Sequence, residues 1–386
     1  MIRERGVRLR CATCGREYEE PVQRCECGGP VEFGVFRGVP RGGDVWRGFR
    51  DFWPVEPDYR LSLGEGNTPL LRSVLGSRLG VELYLKNETV NPTWSFKDRG
   101  TFLAMSYVAR AGYRAVGTVS TGNMAVSVAA YASRAGLAAK ILVSENVNAE
   151  KLKAVSVYGV DVVRVRGDYG RLYFESLKLG ERYGVYFINS DNPFRVEGYK
   201  GISFEISREV TPDYVLIPSS SGGLFRGVAK GFIELKESGI IDRLPTLVAV
   251  QAEGCSPICR AFKEGWDRVK PFGSPKTVAK AISNPSPPSG DAVLRLLRMF
   301  GWRCETVSDE EILEAQRELA REGLFVEPAS AASVAALMKM RKEGIIPEGV
   351  KAVAILTGAG LKTLDQVPEP QIEDCSIEDL EKCFEI

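Results

Sequence analysis

The chain has 386 residues, with 51 Lys and Arg against 50 Asp and Glu, and it contains no histidine. This length accommodates two domains with separate cores. The balanced charge gives no global field that would draw the chain to nucleic acid or to a membrane surface. Without histidine, Ser-His-Asp triads, HExxH sites and His-ligated catalytic zinc are excluded, so a general base must be Lys, Asp, Glu, Tyr or Cys.

The N-terminal sequence MIRERGVRLR lacks the apolar run of a signal peptide, and no later stretch has the length and hydrophobicity of a membrane span. We therefore expect a cytoplasmic protein. Its expected partners are small molecules, with no nucleic acid and no membrane among them.

Four cysteines occur close together in the segment CATCGREYEEPVQRCECGG, at Cys11, Cys14, Cys25 and Cys27. A CxxC pair followed by a CxC pair is typical of a tetrahedral four-thiolate zinc site of the ribbon type. Four protein ligands close the coordination sphere, so the predicted zinc is structural. Disulfides are the alternative, which a cytosolic compartment disfavours.

A zinc ribbon could also bind nucleic acid, which would make the chain a binding protein rather than an enzyme. The arginines of the first forty residues are nearly balanced by glutamates, so no basic stripe results. The remaining cysteines show no ligand spacing and are expected to be mostly small buried or terminal residues; they are Cys255, Cys259, Cys304, Cys375 and Cys383.

From about residue 80, short apolar runs such as VELYLK and AVGTVS alternate with helical patterns such as RGTFLAMSYVARAG, and similar units recur after residue 210. This pattern predicts an α/β fold with two open domains, mainly parallel sheets and an active-site cleft between the domains. The predicted boundaries are 1–38 for the ribbon segment, 39–88 with 205–386 for the larger domain, and 89–204 for the smaller one. Gly- and Pro-rich stretches at 39–58 and 265–290 are candidate connectors or lids.

Two strand-like runs end in loops of small residues that lead into helices, TVSTGNMAV and IPSSSGGLFRG. Backbone N–H groups at a helix N-terminus favour an anion, so two such loops suggest two bound anionic groups, such as a phosphate and a carboxylate. Routine helix capping is the alternative. Thr357 ends a third such run, AILTGAGLKT, where a plain turn is the simpler interpretation.

Lys97 lies between Phe96 and Asp98 in the stretch NPTWSFKDRG. A lysine becomes nucleophilic at neutral pH when desolvation or a nearby cation lowers its pKa, or when it is held as a Schiff base. Trp94 and Phe96 could shield the amine, and Arg99 could lower its pKa. The alternative is an exposed cation at a helix start, with Asp98 as its partner in the first turn.

Seven motifs in order make residues 62–364 resemble the threonine synthases: LGEGNTPL, NPTWSFKDRG, STGN, NSDNPFRVEGYK, VQAEGCSPI, FVEPASAAS and LTGAGLK. Those enzymes often carry an N-terminal zinc-ribbon-like segment as well. They belong to the pyridoxal-phosphate enzymes of fold type II, the tryptophan-synthase-β type, together with threonine dehydratases, cysteine synthases and cysteate synthase.

The resemblance implies pyridoxal phosphate (PLP) as cofactor, bound mainly by the larger domain. Lys97 matches the lysine that forms a Schiff base with PLP, Asn123 the asparagine bonded to its phenolic oxygen, and Thr357 the hydroxyl residue facing its ring nitrogen. The other implied cofactor ligands are Phe96, Ser220, Ser221, Gly222, Gly223 and Leu224. The implied substrate ligands are Ser120, Thr121 and Gly122 for the carboxylate and Asn189, Ser190 and Arg195 for the phosphate.

The implied reaction belongs to threonine biosynthesis: a lyase converts O-phosphohomoserine and water to threonine and phosphate by γ-elimination and β-replacement. A neutral hydroxyl such as that of Thr357 weakens the electron sink of PLP and suits elimination better than transamination. A freed Lys97 would serve as the base, which removes the need for histidine. The resemblance also implies a homodimer.

Three positions depart from the family pattern near the implied site. Trp94 stands where glycine is usual, SSSGGL replaces a loop with asparagine among glycines, and Ala359 stands where histidine is common. We expect Trp94 to cap the cofactor or narrow the cavity. A related enzyme is therefore the alternative, either an O-phosphoserine-dependent cysteine or cysteate synthase or a threonine dehydratase. For Arg195, the alternative to phosphate binding is a salt bridge to Glu197 or Asp191.

Overall fold

The computed structural model describes residues 8–145, 149–167, 169–367 and 377. Three sheets organise the chain: a three-stranded sheet near the N-terminus, a six-stranded sheet and a four-stranded sheet. Within the described ranges, no helix combines the length and hydrophobicity needed to cross a membrane.

The α-helices are α1 (Val45–Gly48), α2 (Leu75–Leu79), α3 (Lys97–Ala111), α4 (Asn123–Ala135), α5 (Ala149–Ser156), α6 (Tyr169–Tyr183), α7 (Pro193–Glu209), α8 (Gly223–Glu237), α9 (Pro257–Lys263), α10 (Gly290–Phe300), α11 (Asp309–Arg321) and α12 (Pro328–Lys342). Short 3-10 helices cover Arg50–Phe52, Tyr59–Leu61, Glu88–Val90, Lys280–Ile282 and Gly360–Gln366.

The N-terminal sheet contains β1 (Leu9–Cys11), β2 (Glu17–Tyr18) and β3 (Val31–Phe33), with β1 between two antiparallel neighbours. Leu9, Val31 and Phe33 alternate with exposed or half-exposed residues and are buried. The Phe33 ring packs edge-on against Phe194 of α7, with 5.1 Å between ring centroids. The ribbon segment is therefore docked on the body of the protein through its own apolar face.

The six-stranded sheet consists of β4 (Leu70–Arg72), β5 (Glu82–Asn87), β10 (Tyr214–Pro218), β11 (Thr246–Ala252), β12 (Arg303–Val307) and β13 (Lys351–Leu356). Its order is β12-β11-β10-β13-β5-β4, and every pair is parallel except the edge pair β4 and β5. The middle strands are buried along almost their whole length, as expected for parallel strands covered on both faces.

The four-stranded sheet consists of β6 (Ala115–Val119), β7 (Ala138–Ser144), β8 (Asp161–Val165) and β9 (Val185–Phe187). All its pairs are parallel, in the order β8-β7-β6-β9. The predicted fold class, with two mainly parallel α/β units and a small N-terminal ribbon, is confirmed. The exact domain boundaries stay a prediction.

Helices α3 and α7 cross at very short distance because glycines lie at the crossing. A Cβ atom on Gly198 would lie 2.4 Å from the carbonyl oxygen of Arg99, and one on Gly100 would lie 2.7 Å from the Tyr199 ring. Side chains at these positions would force the helices apart. The close crossing brings Arg195 of α7 beneath Lys97, the first residue of α3.

A buried ionic cluster surrounds Arg99, in the first turn of α3. Arg99 forms ion pairs with Glu88 and Glu205, both at 2.6 Å, and Lys86 pairs with Glu205 at 2.7 Å. Burial alone would raise the pKa of Glu205, but Arg99 and Lys86 outweigh it and lower that pKa to about 2. Each guanidinium nitrogen of Arg99 donates to a carboxylate of this cluster.

A disulfide bond joins Cys259 of α9 to Cys304 of β12. Both residues are buried, as expected, and Cys255 is a buried free cysteine. The pairing was not predicted, because a separation of 45 residues carries no spacing signal. Disulfides are uncommon in reducing compartments, so this bond does not follow from the predicted location. Cys375 and Cys383 lie outside the described residues.

Candidate active site

A cleft of about 970 Å³ is lined by the carboxyl ends of β6 and β10, by Lys97 and Thr357, and by residues of the ribbon segment. Ligands of open parallel sheets bind at this end of the strands. The volume is sufficient for a cofactor together with an amino acid. The segment 280–288 closes another side of the cleft.

Lys97 reaches the cleft from the first turn of α3. Its ammonium lies 4.1 Å from the centroid of the Phe96 ring. Burial lowers the pKa of Lys97, and the positive charge of Arg195 lowers it further, to about 7, although the carboxylate of Glu327 acts in the opposite direction. The alternative of an ordinary exposed cation is therefore wrong. The expected role of Arg99 is also wrong, because the cations whose charges lower the pKa of Lys97 are Arg195 and Lys362.

Asn123 begins α4 and is held at both ends of its side-chain amide. Its Nδ2 donates to the carboxylate of Glu327 at 3.0 and 3.1 Å, and its Oδ1 accepts from Lys362 at 2.9 Å. Burial raises the pKa of Glu327 and lowers that of Lys362. Glu327 and Lys362 lie inside the motifs FVEPASAAS and LTGAGLK, but sequence reasoning gave them no role.

Thr357 follows β13 and lines the cleft. Its hydroxyl lies 2.8 Å from that of Ser330, which also accepts from the N–H of Gly358 at 2.8 Å. The hydrogen-bond partner of the Thr357 hydroxyl is thus the hydroxyl of Ser330, which is also uncharged. This arrangement suits a ligand to a ring nitrogen that stays largely unprotonated.

The loop between β10 and α8 forms an anion-binding cradle. Gly222 has a φ of 93°, and a Cβ there would lie 2.8 Å from Val293. Among the described residues, no side chain hydrogen-bonds to the first N–H groups of α8. Ser220, Ser221, Gly223 and Leu224 also line the cleft. Free N–H groups at the start of a 15-residue helix suit a phosphate.

Asn284 supports this cradle from the segment 280–288. Its Nδ2 donates to the hydroxyl of Ser221 at 2.9 Å, and its Oδ1 accepts from the N–H of Ser286 at 3.0 Å. Sequence reasoning missed this residue. The SSSGG loop contains no asparagine of its own, and the structure places an asparagine amide against it from a segment about sixty residues away.

The loop Ser120 to Gly122 forms the opposite rim, at the start of α4. All three of its residues line the cleft, and the Ser120 hydroxyl accepts from the N–H of Gly122 at 3.3 Å. Within the described chain, α4 likewise has no side-chain cap. The two helix N-termini predicted to bind anions therefore face one cavity.

Of the three residues expected at the substrate's phosphate, the structure brings only Ser190 to the cleft surface. Asn189 is buried behind it, where its Oδ1 accepts from the N–H of Val119 at 2.9 Å and its Nδ2 donates to Ser176 at 3.2 Å. These bonds tie the start of the Asn189 turn to the end of β6.

Arg195 is fully buried beneath Lys97. It donates to the hydroxyls of Thr101 and Tyr199, both at 2.8 Å, and to the carbonyl of Lys97 at 3.5 Å. The alternative salt bridge is wrong. Asp191 pairs with Arg24 instead, and Glu197 pairs with Lys200 and Lys230.

Trp94 lies outside the cleft, with 52% of the residue exposed, so its expected role as a cap on the cofactor is wrong. Its φ of 60° places it in the left-handed region, which glycine adopts at no steric cost. The positive φ at this position therefore explains why the family usually has glycine here. Ala359 is buried, and its N–H donates to the carbonyl of Trp94 at 3.0 Å.

The four ribbon cysteines converge, with all sulfur atoms within 4.8 Å of one another. The Sγ separations are 3.5 Å for Cys11 and Cys27 and 3.6 Å for Cys14 and Cys25. A tetrahedral zinc with Zn–S bonds of about 2.3 Å requires edges of roughly 3.8 Å. N–H groups of Thr13 and Cys14 point at the Cys11 sulfur, at 3.3 and 3.4 Å, as expected for a thiolate. The cluster fits a zinc ion.

The arrangement is the one expected of a fold type II PLP enzyme, because Lys97, Thr357 and the N-terminus of α8 line one cleft at the carboxyl ends of parallel strands. The family model for pyridoxal-phosphate dependent enzymes matches residues 61–358, and the chain belongs to this family. Within it the chain groups with the threonine synthases.

It is 39% identical to the threonine synthase of Methanocaldococcus jannaschii over 390 residues, covering 96% of each chain. It is also 39% identical to the threonine synthase of Synechocystis sp. over 332 residues, covering 83% of this chain and 84% of that one. Among solved structures, the processed threonine deaminase isoform 2 of Solanum lycopersicum matches with a TM-score of 0.69 and 25% identity, over 92% of this chain and 97% of that one.

Proposed function

We propose that the chain is a PLP-dependent threonine synthase that converts O-phosphohomoserine and water to threonine and phosphate. The observation that carries the proposal is the position of Lys97 in a cleft that is also lined by the N-termini of α4 and α8, neither of which has a side-chain cap among the residues that the structure describes. Burial and the charge of Arg195 lower the pKa of this lysine to about 7. The identities with threonine synthases over most of the chain support the same substrate.

PLP, when bound, supplies an electron sink for negative charge developing beside the substrate's amine-bearing carbon. The residues at the cleft match its functional groups. The α8 N-terminus with Ser220 and Ser221 would hold the phosphate, Asn123 the phenolic oxygen, and Thr357 the ring nitrogen. Lys97 provides the amine for covalent attachment, and Phe96, which packs beside Lys97, lines the same wall.

Lys97 moves the protons of the reaction. An amine with a pKa of about 7 is half neutral near neutral pH, so it can both take a proton from carbon and return it. Histidine commonly serves this purpose, and the chain has none. Burial contributes most to the low pKa of Lys97, and the charge of Arg195 lowers it further, so Arg195 acts on the reaction through Lys97.

The substrate's carboxylate binds at the loop of Ser120, Thr121 and Gly122, and its phosphate at the turn that contains Ser190. Ser190 is the member of the expected phosphate set that lines the cleft. Asn189 and Arg195 contact the backbone behind the cleft surface: the Oδ1 of Asn189 accepts from the N–H of Val119, and Arg195 donates to the carbonyl of Lys97. In this assignment the two helix N-termini receive one anion each, PLP phosphate at α8 and carboxylate at α4.

A substrate panel tests the proposal. We expect phosphate release and threonine from O-phosphohomoserine by the PLP-loaded protein, and little phosphate from O-phosphoserine. Turnover of O-phosphoserine alone, with or without a thiol or sulfite nucleophile, would overturn the assignment in favour of a cysteine or cysteate synthase. Deamination of threonine as the main activity would identify a dehydratase. Homodimer formation, cytoplasmic location and zinc binding stay predictions.

A further inference from the structure

Arg24 of the ribbon segment reaches out of the zinc-binding loop into the wall of the cleft. Only 10% of its side chain is exposed. Its Nε donates to the carbonyl of Gly28 at 2.7 Å, its Nη1 forms an ion pair with Asp191 and donates to the Tyr173 hydroxyl at 3.2 Å, and its Nη2 donates to the carbonyl of Pro288 at 3.0 Å.

These partners come from three separate parts of the molecule. Tyr173 lies on α6 of the smaller α/β unit, and Asp191 directly follows Ser190. Pro288 belongs to the segment that also carries Asn284 against the PLP-phosphate cradle. The guanidinium of Arg24 also lies 5.4 and 5.2 Å from the ring centroids of Tyr173 and Phe174.

We propose that Arg24 is a positioning residue for the phosphate end of the substrate, so that the ribbon segment is part of the active site. It holds the Ser190 turn on one wall and the Pro288 segment on the other at a fixed separation. The identity of the substrate in this proposal rests on the proposed function. The contacts of Arg24 that support the proposal are independent of that function.

The chemistry of the contacts explains why an arginine is present. Asp191 is 1% exposed, and its carboxylate accepts from Arg24 and Tyr173. A planar guanidinium can direct donors to a carboxylate, a hydroxyl and two carbonyls at once, which a lysine ammonium cannot. Loss of Arg24 therefore removes a bridge and leaves a buried carboxylate short of a partner.

The position of Arg24 depends on the loop that carries the second pair of cysteines. The next residue is Cys25, and the Gly28 carbonyl that accepts from Arg24 belongs to the loop closed by hydrogen bonds from Gly28 to Cys25 at 2.9 Å and from Cys25 to Gly29 at 3.0 Å. Coordination of a zinc ion by the thiolates of Cys25 and Cys27 would fix this loop. The ion would thus act on the substrate site through Arg24, without contacting the substrate.

The test compares Arg24→Met, Arg24→Lys and Arg24→Met/Asp191→Asn with the control Arg16→Met. Arg16 is an exposed ribbon arginine whose ion pair is with the exposed Glu26. In Arg24→Met we expect KM for O-phosphohomoserine to rise by about tenfold or more, because small displacements of positioning groups have effects up to about a hundredfold. Bound PLP absorbance and zinc content should stay near wild type, and Arg24→Lys should restore little.

Hydrogen exchange at the amides of 188–192 provides a readout that does not depend on the substrate. We expect faster exchange in Arg24→Met and in the double variant. The double variant has no unpaired carboxylate at position 191, so it remains informative if Arg24→Met folds poorly. Unchanged exchange and unchanged KM in a folded Arg24→Met protein that retains PLP and zinc would overturn the inference. If the wild-type protein fails to release phosphate from O-phosphohomoserine, the proposed function fails, and the exchange data alone decide the role of Arg24.

Discussion

The side-chain amide of Asn123 donates to both carboxylate oxygens of Glu327, at 3.0 and 3.1 Å. Because Lys362 donates to the opposite end of the same amide, the orientation of Asn123 is determined by its partners. Glu327 also raises the pKa of Lys97. One carboxylate thus orients the proposed ligand of the phenolic oxygen and partly stabilises the charged form of the lysine.

The pH dependence of PLP attachment should report the pKa of Lys97. Attachment needs the neutral amine, so its rate should rise through a midpoint at about pH 7 and then level off, whereas an ordinary lysine would give a midpoint near 10.5. Absorbance of the bound cofactor after mixing PLP with apoprotein measures this. Lys97→Met should show no attachment at any pH, and a rate still rising at about pH 10 would contradict the lowered pKa.

The same shift makes the apoprotein more stable at high pH. The folded-state pKa of Lys97 lies below its unfolded value, so the cost of burying the charged amine is fully present below about pH 7. That cost is relieved as pH rises from the folded toward the unfolded pKa. The free energy of unfolding, measured with denaturant, should increase with pH above about pH 7 in wild type relative to Lys97→Met. A difference between the two proteins that does not change with pH would count against burial of the charged amine.

Replacing Arg195 by methionine should raise the pKa of Lys97, because the variant lacks the neighbouring cation. We expect the midpoint of PLP attachment to move to higher pH and activity at neutral pH to fall. Arg195→Lys keeps the charge and should leave the midpoint near wild type. A normal midpoint in Arg195→Met, together with a large rise in KM, would instead assign Arg195 to direct phosphate binding.

Replacing Glu327 by glutamine should change the pKa of Lys97 in the direction opposite to that expected for Arg195→Met. Removal of the carboxylate charge lowers the pKa of Lys97 further, so the midpoint of attachment should move to lower pH. The glutamine carbonyl can still accept from Asn123, which limits the loss of PLP affinity. A midpoint equal to that of wild type would show that Glu327 is already uncharged in the apoprotein.

Gly222→Ala should weaken PLP binding by disturbing the phosphate cradle. Alanine would be strained at a φ of 93°, and its Cβ would lie 2.8 Å from Val293 and 3.0 Å from Ser289. We expect a stability loss of about 1–3 kcal/mol and a loss of PLP affinity. Gly239→Ala is the matched control, since Gly239 has a φ of 69° with open space around it. It should lose stability and keep its PLP affinity.

The ribbon should bind one zinc ion through thiolates. Purified protein should release zinc when its thiols are titrated with a mercurial reagent, and Cys14→Ser should contain much less metal. Cys255→Ser removes a buried free cysteine far from the cluster in sequence and should retain the zinc. Equal zinc content in both variants would show that the metal is bound elsewhere.

The fold class could be predicted because apolar strand and helix patterns are local properties of the sequence. The order of strands could not. β10 lies beside β13, about 140 residues later, and that pairing depends on the packing of the whole domain. The close crossing of α3 and α7 also escaped prediction, although Gly100 and Gly198 are visible in the sequence.

The candidate site could be predicted where its residues lie in loops of characteristic composition. Lys97, Asn123, Thr357 and the Ser220 loop line one cleft. Glu327, Lys362 and Arg24 were missed, because a single charged residue has no periodicity and its partners are distant in sequence. Arg99 was misassigned for a related reason: its two glutamate partners become neighbours only in the folded chain.

We expect the docking of the ribbon to determine when the cleft becomes complete during folding. Its internal contacts span few residues, with the cysteine pairs 16 and 11 positions apart, so they can form early. Arg24 meets its partners across 149, 167 and 264 positions of sequence, which require long loops to close first. We expect refolding to produce a zinc-loaded ribbon well before catalytic competence. The delay between zinc binding and catalytic competence would be the time that the N-terminal ribbon needs to dock on the cleft residues that come later in the sequence.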